Sequence, residues 1–194
     1  VVHPSVRATT LKEFVALAAS GSLSYGTAGV GSTPHLMGEF LFRRLTKADV
    51  IHVPYSGGAP ALAAVVGGHI PMASLALPPA LPMVQTGQLR ALAVTGGKRT
   101  SMLADVPTVA EAGFPEIEDY TWIAYFFPAG TPRPIVERFN AGVNAALRQP
   151  DVIERLTKAS LDAVGGTTGE TQRFVASEIA KWAKIIPDLG ITIE

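Results

Sequence analysis

Side chains able to carry covalent or metal chemistry are few in this chain, and they are poorly spaced for it. There is no cysteine, which removes thiolate nucleophiles, disulfides and cysteine-based zinc or iron–sulfur sites while leaving the redox compartment open. The histidines His3, His35, His52 and His69 share no metal-ligand spacing, because a ligand pair on one element needs a short, regular separation. Neither a G-x-S-x-G nucleophile elbow nor an H-E-x-x-H pair occurs. Gly29-Val30-Gly31-Ser32-Thr33-Pro34 has two glycines of the dinucleotide fingerprint but a proline where the third belongs, and Gly96-Gly97-Lys98-Arg99-Thr100 lacks phosphate-loop spacing. The residues therefore point away from catalysis, and no cofactor or metal is expected.

What remains is recognition without chemistry. Tyr25-Gly26-Thr27-Ala28-Gly29-Val30-Gly31-Ser32-Thr33-Pro34-His35-Leu36 reads as a strand that ends in a glycine-rich turn and opens directly into a helix. Glycines let backbone amides crowd inward, and the first helical turn offers unpaired N–H groups under a partial positive charge of about 0.5. A carboxylate could sit there. No residue from Phe14 to Gly38 carries a formal charge, so recognition would rest on amides and on the Ser32 and Thr33 hydroxyls, without a lysine or arginine clamp. The same pattern also fits a tight turn whose hydroxyls merely cap the helix, with Thr33 as N-cap and Pro34 at the first helical position.

Other residues carry two readings each. His35 could donate to a ligand or bond locally. His52, inside a β-run, reads as a buried, satisfied imidazole. Tyr55 and Ser56 lie in Pro54-Tyr55-Ser56-Gly57-Gly58, a second turn before a helix, and are second-tier ligand candidates. Trp122 and Tyr120 could line a cleft, although aromatics in a β-run usually join a core.

The elements that would position these residues alternate between short apolar runs and longer stretches with three- and four-residue periodicity. Strands are expected at 24–27, 50–54, 70–75, 89–95 and 121–127. Helices are expected at 10–19, 34–45, 59–66, 79–85, 109–112, 134–147, 151–159 and 169–189. Runs apolar on both faces suit a mostly parallel sheet covered by helices on each side, hence an α/β fold. Thr10 with Glu13, and Thr108 with Glu111, have capping-box spacing.

Composition narrows the partners. The chain has 194 residues, 47% hydrophobic and 16% charged, with Lys+Arg and Asp+Glu both 16. Such a chain can bury a core and is not intrinsically disordered. It has no basic surplus for a nucleic acid. From Ser56 to Leu89 there is no charged residue, yet Pro60, Gly67, Gly68, Pro71, Pro78, Pro79 and Pro82 cut the stretch into pieces too short to span a membrane. No export signal is visible at the first residues. Texture changes after Glu118, from short Gly/Pro/Ala-rich elements to long charged helices, which places a boundary near Asp119–Tyr120.

At the residues of the first turn the chain resembles the Bug family, the extracytoplasmic solute receptors of tripartite tricarboxylate transporters. The likeness continues through Val53-Pro54-Tyr55-x-Gly57-Gly58-Ala59-Pro60-Ala61-Leu62, Gly87-x-Leu89-Arg90-Ala91-Leu92-Ala93-Val94-Thr95, Asp105-Val106-Pro107-Thr108-Val109-Ala110-Glu111-Ala112-Gly113 and Pro128-Ala129-Gly130-Thr131-Pro132. The resemblance implies a type II periplasmic-binding-protein fold with one lobe complete and the other partial. Residues 1–119 would be the second ligand-binding lobe, and 120–194 a C-terminal return segment belonging to the first. It implies a periplasmic receptor, not an enzyme, that closes over a small carboxylated solute and delivers it to membrane permease subunits.

Ligand contacts are expected from Thr27, Ala28, Gly29, Gly31, Ser32, Thr33 and His35 in the first turn, Tyr55 and Ser56 in the second, Ser74 and Leu75, and Trp122. Relatives often carry an Asp-Asn pair where Leu75 and Ala76 stand, so a less polar ligand tail is implied. Members of the family have a further N-terminal segment with the export signal and part of lobe one. The chain is thus expected to match the C-terminal two-thirds of a receptor, with exposed apolar surface and edge strands around Tyr120–Phe127 and a tendency to self-associate. Two other classes fit an α/β sheet. An enzyme lacks its nucleophile here, and the effector domain of a transcription regulator would need a helix-turn-helix that this sequence does not contain.

Overall fold

The computed structural model describes residues 1–21, 23–159 and 161–191. They form two compact units, Val1–Thr121 with the segment from Ile186 onward, and Trp122–Ile185. None of the described helices is long and apolar enough to cross a membrane.

The first unit is built on a parallel sheet of β1 (Leu23–Thr27), β2 (Val50–Pro54) and β3 (Met72–Ala73) in the order β2-β1-β3. β1 is central, with Tyr25 opposite both His52 and Met72. Successive side chains of a strand point to opposite faces, and β1 uses this sharply. Tyr25 goes to one face, where its ring lies 5.2 Å from that of Phe42, which in turn lies 6.0 Å from Phe14. Gly26 goes to the other, where a Cβ would run into Ile70 and stand 3.1 Å from the Tyr55 ring. Behind it lies a core of Ala64, Val65, Ile70, Ala73 and Leu89. The sheet is therefore covered on both faces, as an α/β fold requires.

On the Tyr25 face, α1 (Leu11–Ala19) contributes Leu11, Phe14 and Ala18, and the Thr10/Glu13 capping box closes at its start as expected. The expected helix 34–45 is two pieces. α2 (Thr33–Glu39) runs into a π-helical segment, Phe40–Thr46, that ends on the left-handed Lys47 at φ 51°. Consecutive residues on the wider coil are less far apart in angle, so the neighbours Leu41 and Phe42 both reach the core. The cap also differs from expectation. Ser32 is the N-cap and Thr33 the first helical residue, and the Ser32 hydroxyl donates to Gly29 O at 2.7 Å instead of accepting an amide.

A buried polar group holds α2 to β1. The Tyr25 hydroxyl donates to Glu39 Oε1 at 2.8 Å, and Arg43 Nε lies 2.9 Å from Glu39 Oε2. Burial, then the Glu39 carboxylate, push the Tyr25 phenol far up, which fixes it as a donor. The Tyr25 ring crosses α2 at Gly38, where a Cβ would collide with it. Next to it His35 and His52 stack at 3.9 Å and 27°. Burial pulls both imidazoles down, His52 to about 4 with the His35 neighbour as a second cause.

On the opposite face lie α3 (Gly58–Val66) and α4 (Leu77–Gln85). Two expectations shrink. The run 89–95 makes only single bridges, Arg90 with Val2 and Val94 with Thr108, because no longer partner strand lies alongside. At Thr108 the capping-box bonds form, 3.0 Å from Glu111 N to Thr108 Oγ1 and 2.8 Å back. No helix follows, since Gly113 turns left-handed at φ 103° and Pro115 stands two residues further on.

In the second unit are α5 (Arg133–Ala146), α6 (Pro150–Lys158) and most of α7 (Thr168–Leu189). Asn144 Nδ2 and Asn140 Nδ2 donate to Gly166 O at 2.8 and 3.0 Å, fastening the approach to α7 onto α5. The expected strand 121–127 forms no ladder among the described residues. Its aromatics lie edge-on to helical ones, Trp122 against Phe174 at 5.4 Å and Tyr125 against Phe139 at 5.4 Å. Much of the segment faces outward, with Ile123 75%, Tyr125 70% and Phe126 67% exposed. The expected apolar surface is there; the strand pairing is not.

Two outcomes follow from this packing. Gly38→Ala should lose about 1–3 kcal/mol in urea unfolding through the clash with Tyr25, whereas Gly142→Ala, at a helical glycine with nothing within 4 Å, should gain about 0.5–1 kcal/mol. The histidine pair sets a pH window. Both imidazoles bind a proton less readily folded than unfolded, so their contribution to stability is full above about pH 6.5 and is lost as pH drops toward 4. Thermal midpoints measured across that window should decline for the native chain and decline less for His52→Gln, which removes one titrating ring.

Candidate functional site

All three strands point the same way, so their carboxyl ends share one edge of the sheet, and each leads through a short loop into a helix. β1 leads through 28–32 into α2, β2 through 55–57 into α3, and β3 through 74–76 into α4. In open parallel sheets the crevice outside the strand ends is where ligands bind, since loops can be shaped there while the sheet holds them rigid. Hydrogen bonds tie the loops together at the end of β1. Tyr55 N–H donates to Thr27 O at 3.1 Å and Ser74 N–H to Gly26 O at 2.9 Å.

The first loop is the most constrained. Gly29 and Gly31 adopt φ of 130° and 77°, which side chains with a Cβ rarely adopt. Some of its donors are used internally. Gly29 N–H donates to Thr27 Oγ1 at 3.2 Å, Ser32 N–H to Gly29 O at 3.3 Å and Gly31 N–H to His35 Nδ1 at 3.1 Å. Accepting that bond places the His35 proton on Nε2, which faces Glu39 Oε1 at 4.0 Å. Among the described hydrogen bonds the amides of Ala28, Val30 and Thr33 have no protein acceptor.

The expected contact residues sort by position. Ala28, Gly29, Gly31, Ser32 and Thr33 are half-buried on the loop and the start of α2. Thr27 is completely buried, and His35 is 5% exposed. Thr27 Oγ1 pairs with His52 Nε2 at 2.7 Å, so Thr27, His35 and His52 buttress the loop from beneath. The local-bonding reading of His35 is the one its geometry displays. Tyr55 and Leu75 are half-buried and pack on the same core cluster, Ser56 is exposed, and Ser74 is half-buried on the third loop. Trp122 belongs to the other unit, where it meets Phe174. Sequence reasoning missed Glu39, whose spacing of four from both His35 and Arg43 was the available signal.

The comparisons agree with this architecture. The model of the tripartite tricarboxylate transporter family receptor matches residues 1–191. Among curated proteins, the UPF0065 protein in the tcbD-tcbE intergenic region of Pseudomonas sp. (strain P51) is 38% identical over 86% of this chain and 49% of its own length. BugT of Bordetella pertussis is 31% identical over 100% of this chain and 60% of its own. A structure of R. palustris Rpa4515 with adipate superposes with a TM-score of 0.90 at 35% identity, covering 98% of this chain and 64% of that one. MatC of Rhodopseudomonas palustris, with bound malate, gives 0.81 at 30% identity, covering 95% and 64%. The chain thus spans about half to two-thirds of the length of these relatives. The family is one of solute-binding receptors, not enzymes, and by a match over nearly its whole length this chain belongs to the tripartite tricarboxylate transporter family of receptors.

Proposed function

We propose that the chain captures a small carboxylated solute outside the cytoplasm, in the periplasm, and presents it to the permease subunits of a tripartite tricarboxylate-type transporter. Residues 1–119 act as the second ligand-binding lobe and 120–194 as the return segment of the first. The observation that carries the reading is the loop after the central strand. It is glycine-lined and uncharged, with the amides of Ala28, Val30 and Thr33 unspent at the front of α2. The relatives seen with adipate and malate, both carboxylates, support the same reading. A receptor of this kind needs no reactive group, only a difference in affinity between its open and closed forms.

Calorimetric titration with adipate and malate tests it. Ser32→Ala removes the hydroxyl that holds Gly29 O and should weaken binding roughly three- to tenfold. Gly31→Val strains a left-handed residue and blocks approach to the amides, so its loss should exceed about tenfold. Unchanged affinity in both variants would remove the site. Separately, the exposed aromatic segment 122–127 should make the chain self-associate, seen as a mass above that of a monomer in light scattering; a monodisperse monomer would refute this.

A further inference from the structure

Among the described hydrogen bonds the His52 side chain touches no backbone group of the first loop, yet both anchors of that loop run back to it. Its ring stacks on His35 at 3.9 Å, and its Nε2 lies 2.7 Å from Thr27 Oγ1. That hydroxyl is where the contacts meet. Gly29 N–H donates to it at 3.2 Å, and Gly29 O lies 3.3 Å from it. A hydroxyl has one proton and two lone pairs. If Thr27 gave its proton to His52, Gly29 O would face only a lone pair. With the proton on His52 Nε2 all three contacts become hydrogen bonds: Thr27 Oγ1 accepts from His52 and from Gly29 N–H, and donates to Gly29 O.

The consequence falls on the next amide. Gly29 O also accepts from the Ser32 hydroxyl at 2.7 Å and from Ser32 N–H at 3.3 Å. The peptide that follows it is trans, so Val30 N–H points opposite to this pinned carbonyl. On the other side Gly31 N–H is pinned to His35 Nδ1 at 3.1 Å. The open Val30 amide is therefore aimed by bonds on either side of it, and the stacked histidines stand behind both. We propose that His52 is a positioning residue for the first loop: as the Nε2–H tautomer it donates to Thr27, whose hydroxyl orients the Gly29–Val30 peptide so that the Val30 amide is presented to a carboxylate. The last step rests on the carboxylate reading above.

Two measurements test it. Long-range proton–nitrogen NMR of the native chain should show His52 protonated at Nε2 and bare at Nδ1, the same tautomer as His35. Calorimetric titration with adipate then compares the native chain with His52→Phe, which keeps a ring over His35 but loses the donor, with Thr27→Val, and with the double variant, thermal midpoints reporting that each is folded. Each single variant should weaken binding about three- to tenfold. The double variant should lose no more than about twofold beyond the weaker single one, because both changes remove the same contact. A proton on His52 Nδ1 with Nε2 bare, native affinity in either single variant, or losses that add in the double variant would overturn the inference, while adipate binding to the native chain leaves the carboxylate reading standing. A native chain that binds neither adipate nor malate overturns both.

Discussion

A central strand has to be covered on both faces, and β1 meets that constraint with a tyrosine beside a glycine. Tyr25 fills one face, reaching across Gly38 to a buried Glu39, while Gly26 leaves the other face low enough for Tyr55 and Ile70 to close over it. The two loops flanking the strand's end are fixed by these choices. Through Glu39 and the π-helical segment the first face holds α2, and with it the front of the 28–33 loop; through Gly26 the second face draws in Tyr55 and Ser74.

The same economy governs the electrostatics. Ionised side chains are costly near a dry edge unless paired, and Glu39, buried at the end of α2, is paired with Arg43 and the Tyr25 hydroxyl. The two histidines are kept neutral, and neutrality is what lets His35 Nδ1 accept the Gly31 amide. The loop is thereby braced from beneath without carrying charge of its own.

Much of this was legible in the chain. The glycine turn, the capped helix start at Thr10 and the parallel sheet could be read from residue types and spacing, because turn chemistry and amphipathic periods are local properties, while the five ordered motifs were legible as a resemblance to a known family. The failures share a cause. The run 121–127 has the composition of a strand, but a strand needs a neighbour to bond with, and none pairs with it among the described residues. At Thr108 the capping signal was correct and its helix was stopped after a turn by Gly113 and Pro115.

The sequence alone determined the α/β class and the scarcity of reactive side chains, since these depend on composition and on patterns within a few dozen residues, and the family showed in it as a resemblance of ordered motifs. The tertiary structure decided which groups of the glycine turn are spent and which are open. Whether the amide of Gly31 meets a ligand or His35, and whether Thr27 faces solvent or His52, depends on how α2 and β2 pack around β1. Those contacts join residues up to 25 positions apart, and no local pattern encodes a distance of that kind.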